Sequence, residues 1–344
     1  MNYNKPIRLL RAGAWRTYTG GKLIEALHGN ENAPDTNFPE EWIMSTVRAR
    51  NSGREDIVEG ISFTEDGTSL LDIIEKDPVK ALGEAHVKRY NNSLGVLVKL
   101  IDSAERLTIQ VHPTREKAKE LFNSEFGKTE CWHIIGGREI DGEKPSIYFG
   151  FKPGITREYW KECFDKQDIP SMLGCLNRFF VKPGETYLIC GGVPHAIGSG
   201  CFLIEVQEPT DYTIRTERVT PQGLAVSDFM CHQGLGFDKM FDCFDYDGYT
   251  EQQIRDRFCV KKSGEEIIGY GRTEMFRLTM TELNGNSVTI ESYDSFSGIY
   301  VLEGEGVVDG AEVSRGAQYF IPAAAEPFTV SGNMKFIRFF GPKV

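Results

Sequence analysis

The chain has 344 residues, of which 40% are hydrophobic and 26% are charged, and its formal net charge is −11 at pH 7. This length predicts two domains that share a sizeable core, and the acidic balance, without a continuous run of lysine and arginine, argues against a nucleic-acid partner. No stretch approaches the roughly 18 apolar residues that cross a membrane.

The eight cysteines lie scattered between Cys131 and Cys259 without a CxxC pair, so we expect reduced thiols rather than a disulfide framework. The N-terminal segment MNYNKPIRLLRAG lacks the apolar run of a signal peptide. Together these features predict a cytoplasmic protein.

The N-terminal part of the chain mixes helical and turn-rich segments. A helix is predicted over 20–29 (GGKLIEALHG), and the following segment, NENAPDTNFPEEWIMS, is rich in turn residues. Residues 69–90 have helical spacing that Pro78 interrupts, which predicts one or two short helices.

From Leu94 the pattern changes to short apolar strands. Two strands joined by DSAE are predicted over 94–113, and a helix over 114–126. Further strands are predicted over 130–137, 146–151, 186–190, 200–207 and 212–219. The helical segment 156–180, which Pro170 splits, interrupts them. Short strands punctuated by Gly, Pro and Asp are typical of a jelly roll.

A less patterned connector follows Arg218, and a second strand series begins near Phe276. Its strands are predicted over 276–283, 287–293, 297–310, 318–323, 327–332 and 334–340. They indicate a second, smaller jelly roll. We place the boundary between 240 and 275, which gives a domain of residues 1–260 and one of residues 261–344.

Four possible metal ligands fall in the central stretch. Gln110 and His112 are separated by one residue, so in a strand both side chains lie on one face. Glu130 and His195 would complete a mixed nitrogen and oxygen site that suits zinc, although Fe(II) and Mn(II) accept similar donors. The competing interpretation is a chance QxH with hydrogen-bonded core histidines. No histidine follows His232, so one metal per chain is expected.

The segments LVKLIDSAERLTIQVHPT, GKTECWHII, VPHAIGSG and EVQEPTDYTIR resemble the type I phosphomannose isomerases, especially their shorter bacterial members. The resemblance implies a mainly β fold of two cupin-type jelly rolls with short helical insertions. It also implies that Zn2+ is held by Gln110, His112, Glu130 and His195. A departure lies before His195, where Cys190-Gly191-Gly192 replaces a segment that usually contains proline; two glycines should tolerate the same backbone.

The same resemblance implies an aldose–ketose isomerisation of mannose 6-phosphate and fructose 6-phosphate through an enediolate. Arg215 matches the arginine that would stabilise the enediolate, and Glu205 matches a carboxylate that acts as a base or orients a lysine. Lys99 and Lys128 match lysines that approach the sugar. Without the resemblance, these would be interpreted as a surface ion-pair arginine and solvated lysines. Asp211 could hold Arg215, whereas Trp15 and Trp132 are expected to be packing residues.

The residues expected to bind the substrate phosphate depart from the family pattern. Some members use a serine, matched here by Thr108, and a lysine, replaced here by Gln222. A phosphate dianion favours charge-assisted partners, so Arg218 is the candidate that compensates for the missing lysine. The expected partner is a small sugar phosphate, and the chain is expected to be a monomer or a homodimer.

Three other functions compete with this interpretation. An oxygen-activating iron cupin would usually place two histidines close together where this chain has Gln110 and His112. A sugar-binding or regulatory cupin without catalysis would not need Lys128, Glu205 and Arg215 together. An isomerase of an unphosphorylated sugar would explain Gln222.

Overall fold

The computed structural model describes residues 1–51, 53–54 and 56–344, and the fold is mainly β. The strands are β1 Ile7–Leu9, β2 Gly13–Ala14, β3 Glu40–Ile43, β4 Leu97–Asp102, β5 Gln110–Val111, β6 Glu130–Gly137, β7 Ser146–Phe151, β8 Leu176–Phe180, β9 Thr186–Ile189, β10 His195–Ile197, β11 Cys201–Gln207, β12 Ile214–Arg215, β13 Glu266–Ile268, β14 Arg277–Ile290, β15 Ser297–Val308, β16 Ala311–Ser314, β17 Gln318–Ile321 and β18 Phe328–Phe340. The helices are α1 Lys22–Leu27, α2 Leu70–Lys76, α3 Pro78–Leu82, α4 Glu84–Tyr90, α5 Arg115–Phe122, α6 Arg157–Lys166, α7 Ile169–Gly174, α8 Asp228–His232 and α9 Glu251–Phe258, with a 3-10 helix at Lys239–Cys243.

The first jelly roll consists of two antiparallel sheets that enclose an apolar core. One sheet has the order β2-β3-β4-β11-β6-β9 and the other has the order β12-β5-β10-β7-β8. Side chains from both sheets meet in this core, among them Trp132 and Leu203 from the first and Phe149 and Ile197 from the second. Helices α6 and α7 cover the outer face of the second sheet through Trp160 and other buried side chains.

The second jelly roll is built on one sheet with the order β1-β17-β15-β18-β14-β13, to which β16 adds through β15. The prediction of two separate strands over 276–283 and 287–293 is wrong, because these residues form one long strand, β14. The prediction of two strands over 327–332 and 334–340 is wrong for the same reason, because they form β18. The turn-like residues around Gly285 form a bulge at which the register shifts, and Gly285 has φ +77°. A bulge lets a strand continue past residues that favour turns.

The N-terminal strand β1 belongs to the C-terminal sheet, since Ile7 lies opposite Phe320 in an antiparallel pair with β17. The largest apolar cluster also joins both parts of the chain, with Val98 and Ile204 from the first jelly roll and Phe276 and Ile337 from the second. The boundary at residues 260 and 261 stays a prediction.

Two of the helical predictions differ from the structure. Residues 69–90 form three helices, because the Asp77 side chain caps α3 and Pro78 is its first residue. The helix predicted over 156–180 ends at Gly174, and its last part is wrong, because Leu176–Phe180 pairs with β7 as a strand. Among the described residues no helix is long and apolar enough to span a bilayer, and all eight cysteines are free.

Candidate metal centre and substrate cleft

Three neighbouring strands of the second sheet place the centre of the site. In the antiparallel register, Gln110 of β5 lies opposite His195 of β10 on one side and opposite Arg215 of β12 on the other. Glu130 begins β6 in the facing sheet. The sandwich therefore brings these side chains together from strands that are far apart in the sequence.

The imidazoles of His112 and His195 and the carboxylate of Glu130 form a buried cluster. Their possible ligand atoms all lie within 4.8 Å of one another. The His112 Nε2 atom is 3.0 Å from Glu130 Oε1 and 3.2 Å from His195 Nε2. The amide nitrogen of Gln110 lies 3.4 Å from His195 Nε2, so the fourth predicted ligand lies beside the cluster.

Hydrogen bonds fix which nitrogen of each imidazole faces this point. The Nδ1 atom of His112 lies 2.9 Å from the Tyr212 carbonyl, and that of His195 lies 2.8 Å from the Val193 carbonyl. Because a carbonyl oxygen only accepts, both Nδ1 atoms donate, which leaves the two Nε2 lone pairs directed at each other in the neutral rings. Backbone carbonyls orient metal-binding histidines in the same way.

Charge and burial also fit a divalent cation. Both carboxylate oxygens of Glu130 are buried, and Oε1 lies 3.0 Å from the Lys128 ammonium and 3.0 Å from His112 Nε2. Burial and the Lys128 ammonium lower the pKa of His112 to about 3. Burial alone would raise the pKa of Glu130, but Lys128 and His112 hold it well below the usual range. Neutral imidazoles and an ionised carboxylate are the protonation states that bind metal.

The turn before His195 makes close backbone contact with the segment that directly follows β5. The Gly192 amide donates to the His112 carbonyl at 2.7 Å, and Gly192 has φ +88°. A Cβ atom on Gly191 would lie 2.8 Å from the Pro113 carbonyl oxygen. The two glycines that depart from the family pattern thus permit an approach that a side chain would block.

A cleft of about 160 Å³ opens beside this cluster. Its lining includes the predicted site residues Lys99, Thr108, Gln110, Lys128, Glu205, Asp211 and Arg215. The Lys99 ammonium donates to Glu205 Oε1 and Gln207 Oε1, both at 2.8 Å, and Trp132 Nε1 donates to Glu205 Oε2 at 3.0 Å. Burial and the charge of Glu130 raise the pKa of Glu205, although Lys99 opposes this.

Backbone carbonyls hold the Arg215 guanidinium in the cleft. Its Nη1 donates to the carbonyls of Thr213 at 3.2 Å and Met230 at 3.1 Å. Burial lowers the pKa of Arg215 and Asp211 raises it. Asp211 lines the same cleft, so it supplies electrostatic support to Arg215.

Two residues expected at the phosphate lie outside the cleft lining. The Arg218 guanidinium packs over Phe237 at 4.4 Å and Phe164 at 5.4 Å from the ring centroids. The Gln222 side chain donates to Thr19 Oγ1 at 2.9 Å. Of the two tryptophans, Trp132 is buried and contacts Glu205, and Trp15 lies under the guanidinium of Arg54.

Sequence reasoning missed four charged residues that line the cleft, namely Arg16, Glu40, Arg50 and Arg106. Glu40 accepts hydrogen bonds from Tyr18 and Trp42 at 2.7 Å and pairs with Arg16 at 3.0 Å. The family resemblance extends weakly to the segment EEWIMS, which begins at Glu40, and this was the one signal that could have marked Glu40. No signal marked Arg16 or Arg50.

Comparisons with known proteins find phosphomannose isomerases. The profile described as the phosphomannose isomerase type I catalytic domain matches residues 40–128, and the mannose-6-phosphate isomerase cupin domain matches 266–340. The chain is 28% identical over 254 residues to a Bacillus subtilis protein named as a probable mannose-6-phosphate isomerase, GmuF, covering 70% of this chain and 73% of that protein. It is 36% identical over 120 residues to the mannose-6-phosphate isomerase ManA of the same organism, covering 35% and 36%.

Solved structures share the fold. The mannose 6-phosphate isomerase from Bacillus subtilis superposes with a TM-score of 0.73 at 23% identity, covering 97% of this chain and 99% of that one. The apo enzyme from Salmonella typhimurium superposes with a TM-score of 0.73 at 17% identity, covering both chains completely. At these identities the likeness demonstrates the arrangement of the two jelly rolls.

Proposed function

We propose that this chain, which the type I phosphomannose isomerase catalytic domain profile matches over residues 40–128, is a zinc-dependent enzyme that interconverts mannose 6-phosphate and fructose 6-phosphate. The observation that carries the proposal is the convergence of Gln110, His112, Glu130 and His195 beside a cleft that also contains Glu205 and Arg215. Zinc is the proposed metal, since it favours sites with imidazole and carboxylate ligands.

The reaction moves a proton between C1 and C2 of the sugar through a negatively charged enediolate, so it needs a base and positive charge. A divalent metal held by the four ligands would polarise the two reacting oxygens. We assign the base to Glu205, because burial raises its pKa toward the range in which a carboxylate accepts a proton effectively. Lys99 and Trp132 fix the two oxygens of Glu205 in place.

Arg215 supplies permanent positive charge. It pairs with Gln110 on the side of β5 that faces away from His195. Its guanidinium is held by the carbonyls of Thr213 and Met230, so it is oriented before the substrate binds. Such a preorganised charge stabilises the developing enediolate without reorganisation. Lys128 lies 3.0 Å from Glu130, where its ammonium keeps that ligand ionised.

The charge of the cleft supports an anionic substrate. Among the described residues, six cationic residues line it, compared with three carboxylates, although the whole chain carries a net charge of −11. A cleft with an excess of positive charge on an acidic protein concentrates anions.

The decisive experiment is a coupled isomerase assay with mannose 6-phosphate and with mannose, on metal-free protein and after addition of zinc, cobalt or manganese. Metal-restored turnover of mannose 6-phosphate is expected. Absence of turnover with every metal would contradict the isomerase. A higher kcat/KM for mannose would support the second candidate, an isomerase of the unphosphorylated sugar, which Gln222 favours.

A further inference from the structure

The cleft needs a cation that is available to the substrate phosphate, because Gln222 replaces a lysine and Arg218 packs over Phe237. This inference rests on the proposed function. The phosphate is attached at C6, four carbons away from the reacting C1–C2 pair, so its partner should line the same cleft without contacting the metal ligands. The six lining cations can be tested against that requirement.

Five of these cations already have partners. Lys99 is bonded to Glu205 and Gln207, and Lys128 contacts Glu130 and His112. Arg106 forms a bidentate pair with Glu217 at 2.6 and 2.8 Å. Each of these ammonium or guanidinium groups would have to give up an existing interaction before it could bind a phosphate.

The other two arginines that already have partners are Arg16 and Arg215. Arg16 pairs with buried Glu40 at 3.0 Å and packs over the Trp42 ring at 5.1 Å. Arg215 donates to two backbone carbonyls. Both are therefore held in fixed positions by the protein itself.

Arg50 differs from the other five. It lines the cleft, it is exposed, and its side chain has no hydrogen-bond or ion-pair partner within residues 1–51, 53–54 and 56–344. A planar guanidinium without a carboxylate partner can bind a phosphate through two parallel hydrogen bonds. We propose that Arg50 is the charged residue that binds the substrate phosphate in this chain and so determines its specificity for a phosphorylated sugar.

Arg50→Gln tests this proposal, with Arg48→Gln as the matched control. Arg48 is an exposed arginine of the same segment that does not line the cleft. The Arg50→Gln variant should raise KM for mannose 6-phosphate by about 10- to 100-fold and leave kcat within about twofold. It should leave kcat/KM for mannose unchanged, and inorganic phosphate should inhibit it more weakly by a similar factor.

Arg50→Lys should lie between the wild type and Arg50→Gln, because an ammonium keeps the charge without the planar fork. The proposal is overturned if Arg50→Gln leaves KM for mannose 6-phosphate unchanged, or if it lowers kcat/KM for both sugars equally. It is also overturned if Arg48→Gln has the same effect.

Direct binding separates this proposal from the proposed function. If the wild type isomerises neither sugar, the isomerase assignment fails, and calorimetric titration with inorganic phosphate still decides the role of Arg50. Weaker phosphate binding in Arg50→Gln alone supports the anion site, whereas equal binding in the wild type and both glutamine variants overturns it.

Discussion

Arg215 lies directly opposite Gln110 in the register of β12 and β5. One backbone pairing therefore sets the position of the proposed catalytic charge relative to a metal ligand. Arg215→Ala should lower kcat by about 10²- to 10³-fold, because the charge stabilises the transition state, and should leave the metal content near that of the wild type. Arg215→Lys should recover part of the activity. A change in KM alone would assign Arg215 to substrate binding instead.

The metal ligands can be tested against a neighbouring histidine. His112→Ala and Glu130→Ala should remove both bound metal and turnover, whereas the wild type should hold about one metal per chain. His133→Gln is the matched control, because His133 is also buried in β6 but its Nδ1 atom lies 2.9 Å from Thr186 Oγ1. Elemental analysis of the four proteins checks this. Metal retained in Glu130→Ala would show that the ligand set is wrong.

The role of Glu205 as base predicts a specific loss. Glu205→Gln should lower kcat by about 10²- to 10⁴-fold and slow deuterium uptake from D2O into the product, while the metal content stays normal. Gln207→Leu provides a comparison, since it removes the other side-chain acceptor of Lys99 and keeps the carboxylate. If Glu205 only orients Lys99, then Lys99→Met and Glu205→Gln should lower kcat by the same factor, and the double variant should lower kcat no further.

Gly191→Ala should destabilise the turn between β9 and β10, which precedes His195. Its Cβ atom would lie 2.8 Å from backbone atoms of Pro113 and Thr114, so the free energy of unfolding should fall by about 1–3 kcal/mol. Gly174→Ala at the end of α7 is the control, because nothing lies within 4 Å of the added Cβ atom. Urea denaturation of both variants measures the difference. Equal stability would mean that the turn relaxes without cost.

His133 should make stability depend on pH. Burial, with smaller effects from Lys262 and Lys335, lowers its pKa from 6.5 to about 4. Below pH 6.5 the unfolded chain binds a proton at His133 that the folded protein does not. The part of the free energy of unfolding that depends on neutral His133 is therefore fully present above pH 6.5 and is lost as the pH falls toward 4. Between those limits the wild type should lose up to about 3 kcal/mol more than His133→Gln. Urea denaturation of both proteins at several pH values from 7 to 4.5 tests this. The same change in the free energy of unfolding with pH in both proteins would contradict it.

The proposed metal ligands could be identified in the sequence because their signal is local or carried by short motifs. The two-residue period of an extended chain predicts that Gln110 and His112 point to the same side, and the structure has Gln110 in β5 and His112 directly after it. Arg50 and Arg16 gave no such signal, because the fold brings them to the cleft from segments that have no metal-binding or catalytic pattern.

The errors in secondary structure have the same physical origin. Residues 176–180 follow a helix without a clear break, and it is their pairing with distant β7 that makes them a strand. Around Gly285, turn-forming residues occur inside a long strand because β18 pairs on both sides of the bulge. Long-range pairing outweighs local preference at both places.

The pairing of β1 with β17 also sets the order in which the protein can be assembled. During synthesis, Ile7–Leu9 emerges long before Gln318–Ile321, so β1 stays without its partner strand until almost the whole chain has left the ribosome. An open sheet edge offers unpaired amides and carbonyls to other chains. Finished chains cleaved after β1 would therefore expose the edge of β17 and be the ones most prone to aggregate, because the pairing with β1 covers this edge.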